Sequence, residues 1–149
     1  MNVTSFWQSS LGLLRVVEGG DTTARRLDVP PDVATAVRSG VRLFNRGRYL
    51  EAQQTWEEAW RDAPSPDRAF LEALVQLAGG LHLRTRRGAT RGAMHLLAQA
   101  LIALDDYRPA VHGVDVAALI ADVDACIGWL RTVGRPHRFL DRARLPRIR

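Results

Sequence analysis

The segment from Asp67 to Arg86 constrains the fold most, because it is apolar around more than half of a helical circumference. Its apolar residues are Phe70, Leu71, Leu74, Val75, Leu77, Ala78 and Leu81. Such a helix needs neighbours that shield these side chains from water. Gly79 and Gly80 lie in its interior, where each glycine costs about 1 kcal/mol relative to alanine. We therefore predict the most buried helix of the protein, with a neighbouring helix approaching closely at the two glycines.

Four other segments show the one-sided period of an amphipathic helix. Their stripes are Val33, Val37, Gly40, Val41 and Phe44; Tyr49, Ala52, Trp56 and Ala59; Ala93, Leu97, Ala100, Leu101 and Leu104; and Leu119, Val123, Cys126, Ile127 and Leu130. The first helix is predicted over Pro31–Arg46 with Gly47 at its end, and Asp115 is expected to cap the last one. No alternating strand pattern is visible. The sequence predicts an all-α fold, a compact bundle of about five antiparallel helices.

The spacing G-x-Y-x2-A-x3-W-x2-A-x4-P, from Gly47 to Pro64, is similar to the second half of a tetratricopeptide repeat. Part of this pattern recurs 41 residues later, from Gly88 to Ala100. A repeat solenoid needs about three copies to bury a continuous core, and at most two degenerate copies are present. The pattern therefore indicates helical hairpins within a bundle.

A chain of 149 residues falls in the size range of one domain. We divide it into an N-terminal extension (1–30), a helical bundle domain (31–133) and a basic C-terminal tail (134–149). Cys126 is the only cysteine, so no internal disulfide can form. The N-terminus is typical of neither a secretion signal nor a membrane span. A cytoplasmic protein is the expectation.

All 21 basic residues other than histidine are arginines, and their distribution is uneven. Residues 131–149 hold seven arginines and one aspartate, a net charge of +6, whereas residues 1–130 have a net charge of −1. Gly134, Pro136 and Pro146 interrupt regular helix, so we expect the terminal arginines to be held loosely. The candidates for weak, nonspecific binding of polyanions are Arg135, Arg138, Arg142, Arg144, Arg147 and Arg149. A second cationic surface is the ridge of Arg38, Arg42 and Arg46 on the first helix, which could bind an acidic partner or could simply be solvated.

Three ordered blocks carry a family resemblance: "LFNRGRYLEAQQTWEEAWR", "RAFLEALVQLAGGLHLRTRRGATRGAMHLLAQALIALDDYRP" and "GVD". Over roughly residues 41–120 the chain resembles domain-of-unknown-function family 309, small all-helical proteins with no assigned biochemical role. The resemblance implies a compact helical bundle. In the family pattern the second helix reads Y-F-E-A-H-E, but here "YLEAQQ" places Gln53 at the histidine and Gln54 at the glutamate. Glutamine neither shuttles protons near neutral pH nor binds transition metals well, which weakens any metal or acid/base role.

The ligand-binding candidates are Gln53 and Glu57 on the second helix with Gln76 and His82 on the third. A hairpin would place the two helices side by side, and the resemblance puts polar residues at Gln76 and His82 in relatives. Glu57 beside a neutral His82 could fix its tautomer, bind a small cation or orient a water. Alternatively, the four side chains satisfy one another and only fix the helix register.

No known catalytic, phosphate-binding or metal-binding motif occurs in the sequence. Cys126 falls on an apolar stripe and is interpreted as a structural thiol, and Trp56 as a filler between helices. No catalytic residue, metal site or cofactor is predicted. We therefore expect a non-catalytic interaction or scaffold domain whose basic tail binds an acidic partner, and leave open an unknown protein partner and a homo-oligomer. The alternative is a metal- or small-ligand-binding protein, or a hydrolase-like enzyme, that uses the polar cluster.

Overall fold

The computed structural model describes residues 32–133 and 142–149. Within these ranges the chain forms five α-helices: α1 (Val33–Asn45), α2 (Tyr49–Asp62), α3 (Ser65–Arg87), α4 (Thr90–Leu104) and α5 (Val116–Thr132). Consecutive helices α1 to α4 are joined by two or three residues and pack on one another, which makes successive hairpins. Helix α5 packs on α4. The prediction of an all-α bundle is confirmed.

Local chemistry accounts for where the first helices start and stop. Helix α1 begins at Val33 rather than at Pro31, because the Asp32 carboxylate accepts a hydrogen bond from the Thr35 amide at 2.7 Å and caps the helix there. After α1 the chain turns at Gly47, with φ +78°, and α3 ends at a left-handed Gly88, with φ +64°. Both turns need a backbone conformation that side chains disfavour.

Helix α3 lies at the centre of the bundle, between α2 and α4. Every residue from 73 to 81 is buried, as the sequence predicts for this segment. A Cβ atom at Gly80 would lie 3.2 Å from the Ala93 carbonyl oxygen on α4, and one at Gly79 would lie 3.3 Å from Gln53 Oε1 on α2. Gly80 therefore allows α4 to pack close to α3, and Gly79 allows the Gln53 side chain of α2 to do so. The predicted close approach at the two glycines is confirmed.

Trp56 fills the space between α1 and α2. Its side chain is fully buried, it contacts the Phe44 ring at a centroid distance of 6.1 Å, and its indole Nε1 donates to the Val37 carbonyl oxygen at 3.4 Å. Gly40 on α1 lets the indole approach, because a Cβ atom there would lie 2.1 Å from Trp56 Nε1. The interpretation of Trp56 as a filler between helices is confirmed.

A small hairpin between α4 and α5 is the element that the sequence pattern misses. Strand β1 (Ala110–Val111) pairs antiparallel with β2 (Val114–Asp115). Two-residue strands are too short to show an alternating pattern. His112 and Gly113 form the turn with φ values of +48° and +78°, the combination that a tight hairpin requires. Asp115 then caps α5 by accepting from the Ala118 amide, as predicted.

The last residues of the chain return to the bundle. Ile148 is 2% exposed, and the Asn45 side chain forms hydrogen bonds to both its amide and its carbonyl group, at 3.0 and 2.7 Å. The Asp115 amide donates to the Arg149 carbonyl oxygen at 2.8 Å. The expectation of a loosely held end is therefore wrong at Ile148 and Arg149, because burial of the isoleucine and paired backbone groups anchors them. Residues 1–31 and 134–141, which include the predicted extension and part of the predicted tail, lie outside the described residues.

None of the helices in residues 32–133 and 142–149 combines the length and the apolar character needed to cross a membrane.

Candidate functional site

A cationic cleft of about 260 Å³ lies where α1, the β1–β2 hairpin and the end of the chain meet. Helix α1 contributes Arg38, Val41 and Arg42, the hairpin contributes His112, Gly113 and Val114, and the chain end contributes Arg149. Arginines with four-residue spacing on α1 face the cleft together because they lie one turn apart. We call these lining residues the cationic cleft.

The two arginines of α1 are not neutralised by ion pairs. Arg38 Nη2 donates to the Thr35 hydroxyl at 2.8 Å, and Arg42 Nη2 donates to the Ser39 hydroxyl at 3.2 Å. Within the described ranges neither guanidinium forms an ion pair with a carboxylate. Arg38 also acts on the exposed Asp32, whose pKa is lowered chiefly by the hydrogen bonds from Thr35 and further by this arginine. Most donors of both guanidiniums therefore remain available to an anion.

His112 stands at the edge of the cleft in a fixed position. Its Nε2 atom lies 2.6 Å from Asp67 Oδ1 at the start of α3, and its ring lies 6.0 Å from the Phe70 ring. The side chain is about one fifth exposed. Asp67 therefore holds the imidazole beside the arginines through one ring nitrogen.

Arg149, at the chain end, lines the same cleft as Arg38 and Arg42 of α1. Its side chain is 62% exposed, and its Nη2 atom lies 3.6 Å from Asp122 Oδ2 on α5, a distance at which the ion pair is weak and screened. The sequence analysis gave the ridge on the first helix and the C-terminal tail as two separate cationic surfaces. The structure places Arg149 with Arg38 and Arg42, whereas Arg46 caps the end of α1 outside the cleft.

Of the five other predicted polyanion-binding residues, three lie in the part of the chain that the structure describes. Arg142, Arg144 and Arg147 are exposed, the first two in a short 3-10 turn, Arg142–Arg144. Arg135 and Arg138 lie outside the described residues.

The structure brings together part of the predicted polar cluster. Gln53 Nε2 donates to Glu57 Oε1 at 2.9 Å along α2, and Gln53 Oε1 faces Gly79 on α3. Gln76 and His82 lie three residues on either side of Gly79, so helical spacing directs each of them within about 60° of the α3 face that Gln53 meets. We call Gln53, Glu57, Gln76 and His82 the polar groove.

The hydrogen bond between Gln53 and Glu57 does not extend to the two residues of α3. Glu57 and His82 form no hydrogen bond, and neither Gln76 nor His82 has a side-chain partner among the residues described. Gln76 is only 8% exposed. The pKa of His82 is lowered by burial and then by Arg86 and Arg87, so the imidazole is neutral at pH 7. The groove therefore presents an amide and a neutral imidazole that can each accept and donate hydrogen bonds.

Metal-binding and thiol chemistry receive little support in the described parts of the chain. No group of three or more histidine, cysteine, aspartate or glutamate side chains that could hold a metal ion occurs in residues 32–133 and 142–149. Cys126 is 1% exposed, and burial raises the pKa of its thiol to about 11. A protonated, inaccessible thiol is a structural residue, which agrees with the sequence interpretation.

Sequence reasoning missed one polar residue of the interior, Arg84. It is 3% exposed, although arginine is rarely fully buried without a partner. A signal was present, because Arg84 follows Leu77 and Leu81 at positions i+7 and i+3 on the buried stripe of α3.

The model of the family described as domain of unknown function (DUF309) matches residues 37–96 of the chain. This confirms the resemblance found in the sequence, over a range that begins in α1 and ends within α4. The matched range contains Arg38 and Arg42 of the cationic cleft and the whole polar groove, but neither the hairpin nor the chain end. No curated protein matches the chain.

Proposed function

We propose that the protein is a non-catalytic interaction domain that binds an acidic partner through the cationic cleft. The observation that carries this proposal is the convergence of Arg38, Arg42 and Arg149 on one cleft, in which the two α1 guanidiniums have no carboxylate partner among the residues described. Guanidinium groups bind carboxylates and phosphates in a bidentate manner, so a cleft with three of them favours a segment bearing several negative charges.

The anchored chain end supports the same proposal. Asn45 and the burial of Ile148 hold the backbone beside Arg149, so this arginine reaches the cleft without an additional ordering cost on binding. The single buried cysteine is compatible with a reducing, cytoplasmic environment.

The double variant Arg38→Ala/Arg42→Ala is expected to weaken polyanion binding and to reduce its salt dependence. Duplex DNA serves as a probe because the salt dependence of protein binding to it is well understood. Each arginine–phosphate contact contributes about −0.9 to the slope of log affinity against log salt concentration. Loss of two contacts should reduce the magnitude of the slope by about 2. Fluorescence anisotropy with a labelled duplex and with a labelled glutamate-rich peptide, at several salt concentrations, measures both quantities.

Arg86→Ala/Arg87→Ala is the matched control, because it removes the same charge from two exposed residues at the end of α3. It should leave the slope nearly unchanged if the cleft is the contact surface. Asn45→Ala should weaken binding less than the cleft variant, since it loosens only the segment that carries Arg149. Equal losses in the cleft and control variants would contradict the proposal and would indicate a nonspecific effect of net charge.

A small-ligand or metal-binding role for the polar groove is the second candidate. It is favoured by Gln76, which is 8% exposed and has no side-chain hydrogen bond to a described residue, and by His82, whose pKa is lowered by burial. Elemental analysis of protein purified without an affinity tag tests the metal-binding form of this role. A stoichiometric metal that is lost in both His82→Ala and Glu57→Ala would support the groove, whereas a metal retained in both variants would contradict it.

A further inference from the structure

Residues 145–149 lie against the bundle with one side buried, and we call them the docked arm. Burial alternates along the arm: Pro146 and Ile148 are buried, whereas Arg147 and Arg149 are exposed. The arm is therefore bound to the bundle through its apolar side chains, with its arginines directed towards solvent.

The backbone of the docked arm is held by two elements of the bundle. Asn45, the last residue of α1, donates from Nδ2 to the Ile148 carbonyl oxygen at 2.7 Å and accepts from the Ile148 amide on Oδ1 at 3.0 Å. The Asp115 amide of β2 donates to the Arg149 carbonyl oxygen at 2.8 Å. Helix α1 and the β1–β2 hairpin, which hold the arm, also form the cationic cleft.

One residue connects the docked arm to the cleft. Arg149 is among the residues that line the cleft, whereas the neighbouring Arg147 is not. The other lining residues belong to α1 and the hairpin, so they stay in place when the arm leaves its position. Release of the arm would therefore remove one of three guanidinium groups from the cleft and leave the other two.

We propose that docking of the arm and binding of an acidic partner in the cationic cleft are coupled, with Asn45 as the positioning residue. The coupling rests on the proposed function, because it concerns the same site. A ligand that contacts Arg149 binds the docked form more tightly than the released form, so it shifts the equilibrium towards docking. By linkage, docking raises the affinity for the ligand by the same factor.

A double-mutant cycle on the full chain tests whether Asn45 acts through Arg149. A glutamate-rich peptide is the probe, and its Kd is measured at low salt. Arg149→Ala should weaken binding by about 5-fold or more, the range of coupling between sites. Asn45→Ala should also weaken binding in the wild-type chain, but it should have no effect in the Arg149→Ala background. Arg147→Ala is the matched control, since it removes the same charge from the arm outside the cleft and should cost less than Arg149→Ala.

Hydrogen exchange of the wild-type chain measures docking directly and does not depend on whether Asn45→Ala folds. The saturating peptide should slow exchange of the Ile148 and Asp115 amides, whose hydrogen bonds hold the arm. The factor should equal the loss of affinity in Arg149→Ala, as linkage requires. The Gly88 amide is the control, because it lies at the opposite end of α3 from Asp67, which contacts the hairpin. Its exchange should not change.

The outcomes separate the coupling from the proposed function. Additive effects of Asn45→Ala and Arg149→Ala, or an Ile148 amide whose exchange the peptide does not slow, would overturn the coupling. An equal slowing at the control amide would also overturn it, since the peptide would then only stabilise the whole fold. The proposed function would survive these results if Arg38→Ala/Arg42→Ala still weakened binding. If that variant bound the peptide as tightly as the wild-type chain, both proposals would be wrong.

Discussion

Trp56→Ala is expected to lower the free energy of unfolding by about 3–5 kcal/mol, the range for truncating a well-buried aromatic side chain. The indole has no exposed surface and packs between α1 and α2 beside Phe44. Its removal leaves a cavity in a region where the backbone of α1 is already close to α2, so collapse can recover little of the loss. Chemical denaturation of the wild-type chain and the variant measures the difference.

Ile102→Ala is the appropriate control for this experiment. Ile102 is a large apolar side chain of α4 that is 71% exposed, so its truncation should change stability by no more than about 0.5 kcal/mol. A loss below about 1 kcal/mol for Trp56→Ala would show that the indole is not packed as described, and would make Trp56 a candidate ligand-stacking residue instead.

Gly40→Ala is expected to destabilise the protein by about 2–3 kcal/mol through overpacking, although alanine is about 1 kcal/mol better than glycine within a helix. The introduced Cβ atom would lie 2.1 Å from Trp56 Nε1 and 2.3 Å from Trp56 Cε2. The indole is enclosed on its other sides, so α1 and α2 must separate to relieve the contact. Denaturant titration of the single variant measures this cost.

A double-mutant cycle tests whether the contact with Trp56 causes the loss of stability in Gly40→Ala. In the Trp56→Ala background the new methyl group enters the space left by the indole, so Gly40→Ala should become neutral or stabilise by up to about 1 kcal/mol. Gly128→Ala on α5 is the control, because a Cβ atom there meets no other atom within 4 Å. That substitution should stabilise the wild-type chain by about 1 kcal/mol. Additive effects of Gly40→Ala and Trp56→Ala would contradict the packing described.

Only part of the cationic cleft could be predicted from the sequence. Arg38 and Arg42 are one helical turn apart, so their common direction could be read from spacing alone. Their association with Arg149 could not, because it depends on contacts such as the hydrogen bonds between Asn45 and Ile148, which are 103 residues apart. The position of His112 in the cleft could not be predicted either, because His112 lies in the turn of a hairpin whose strands are too short to show a sequence pattern.

The sequence also predicted only part of the arrangement in the polar groove. The sequence placed Gln53 and Glu57 on one face of α2, and the structure shows their hydrogen bond. The sequence could not show that Glu57 and His82 remain unbonded, because the distance between two helices depends on the small residue between them. Here that residue is Gly79, and Gln53 rather than Glu57 faces it.

The sequence by itself determined the five helices, the central position of α3, the cap at Asp115 and the turn at Gly47. These features follow from apolar period and from backbone preferences, which act between residues a few positions apart. The tertiary structure alone decided the cationic cleft, the anchoring of Ile148 and the burial of Arg84. Each of these depends on which side chains from distant segments share one volume, and that is set by packing of the whole bundle rather than by any local pattern.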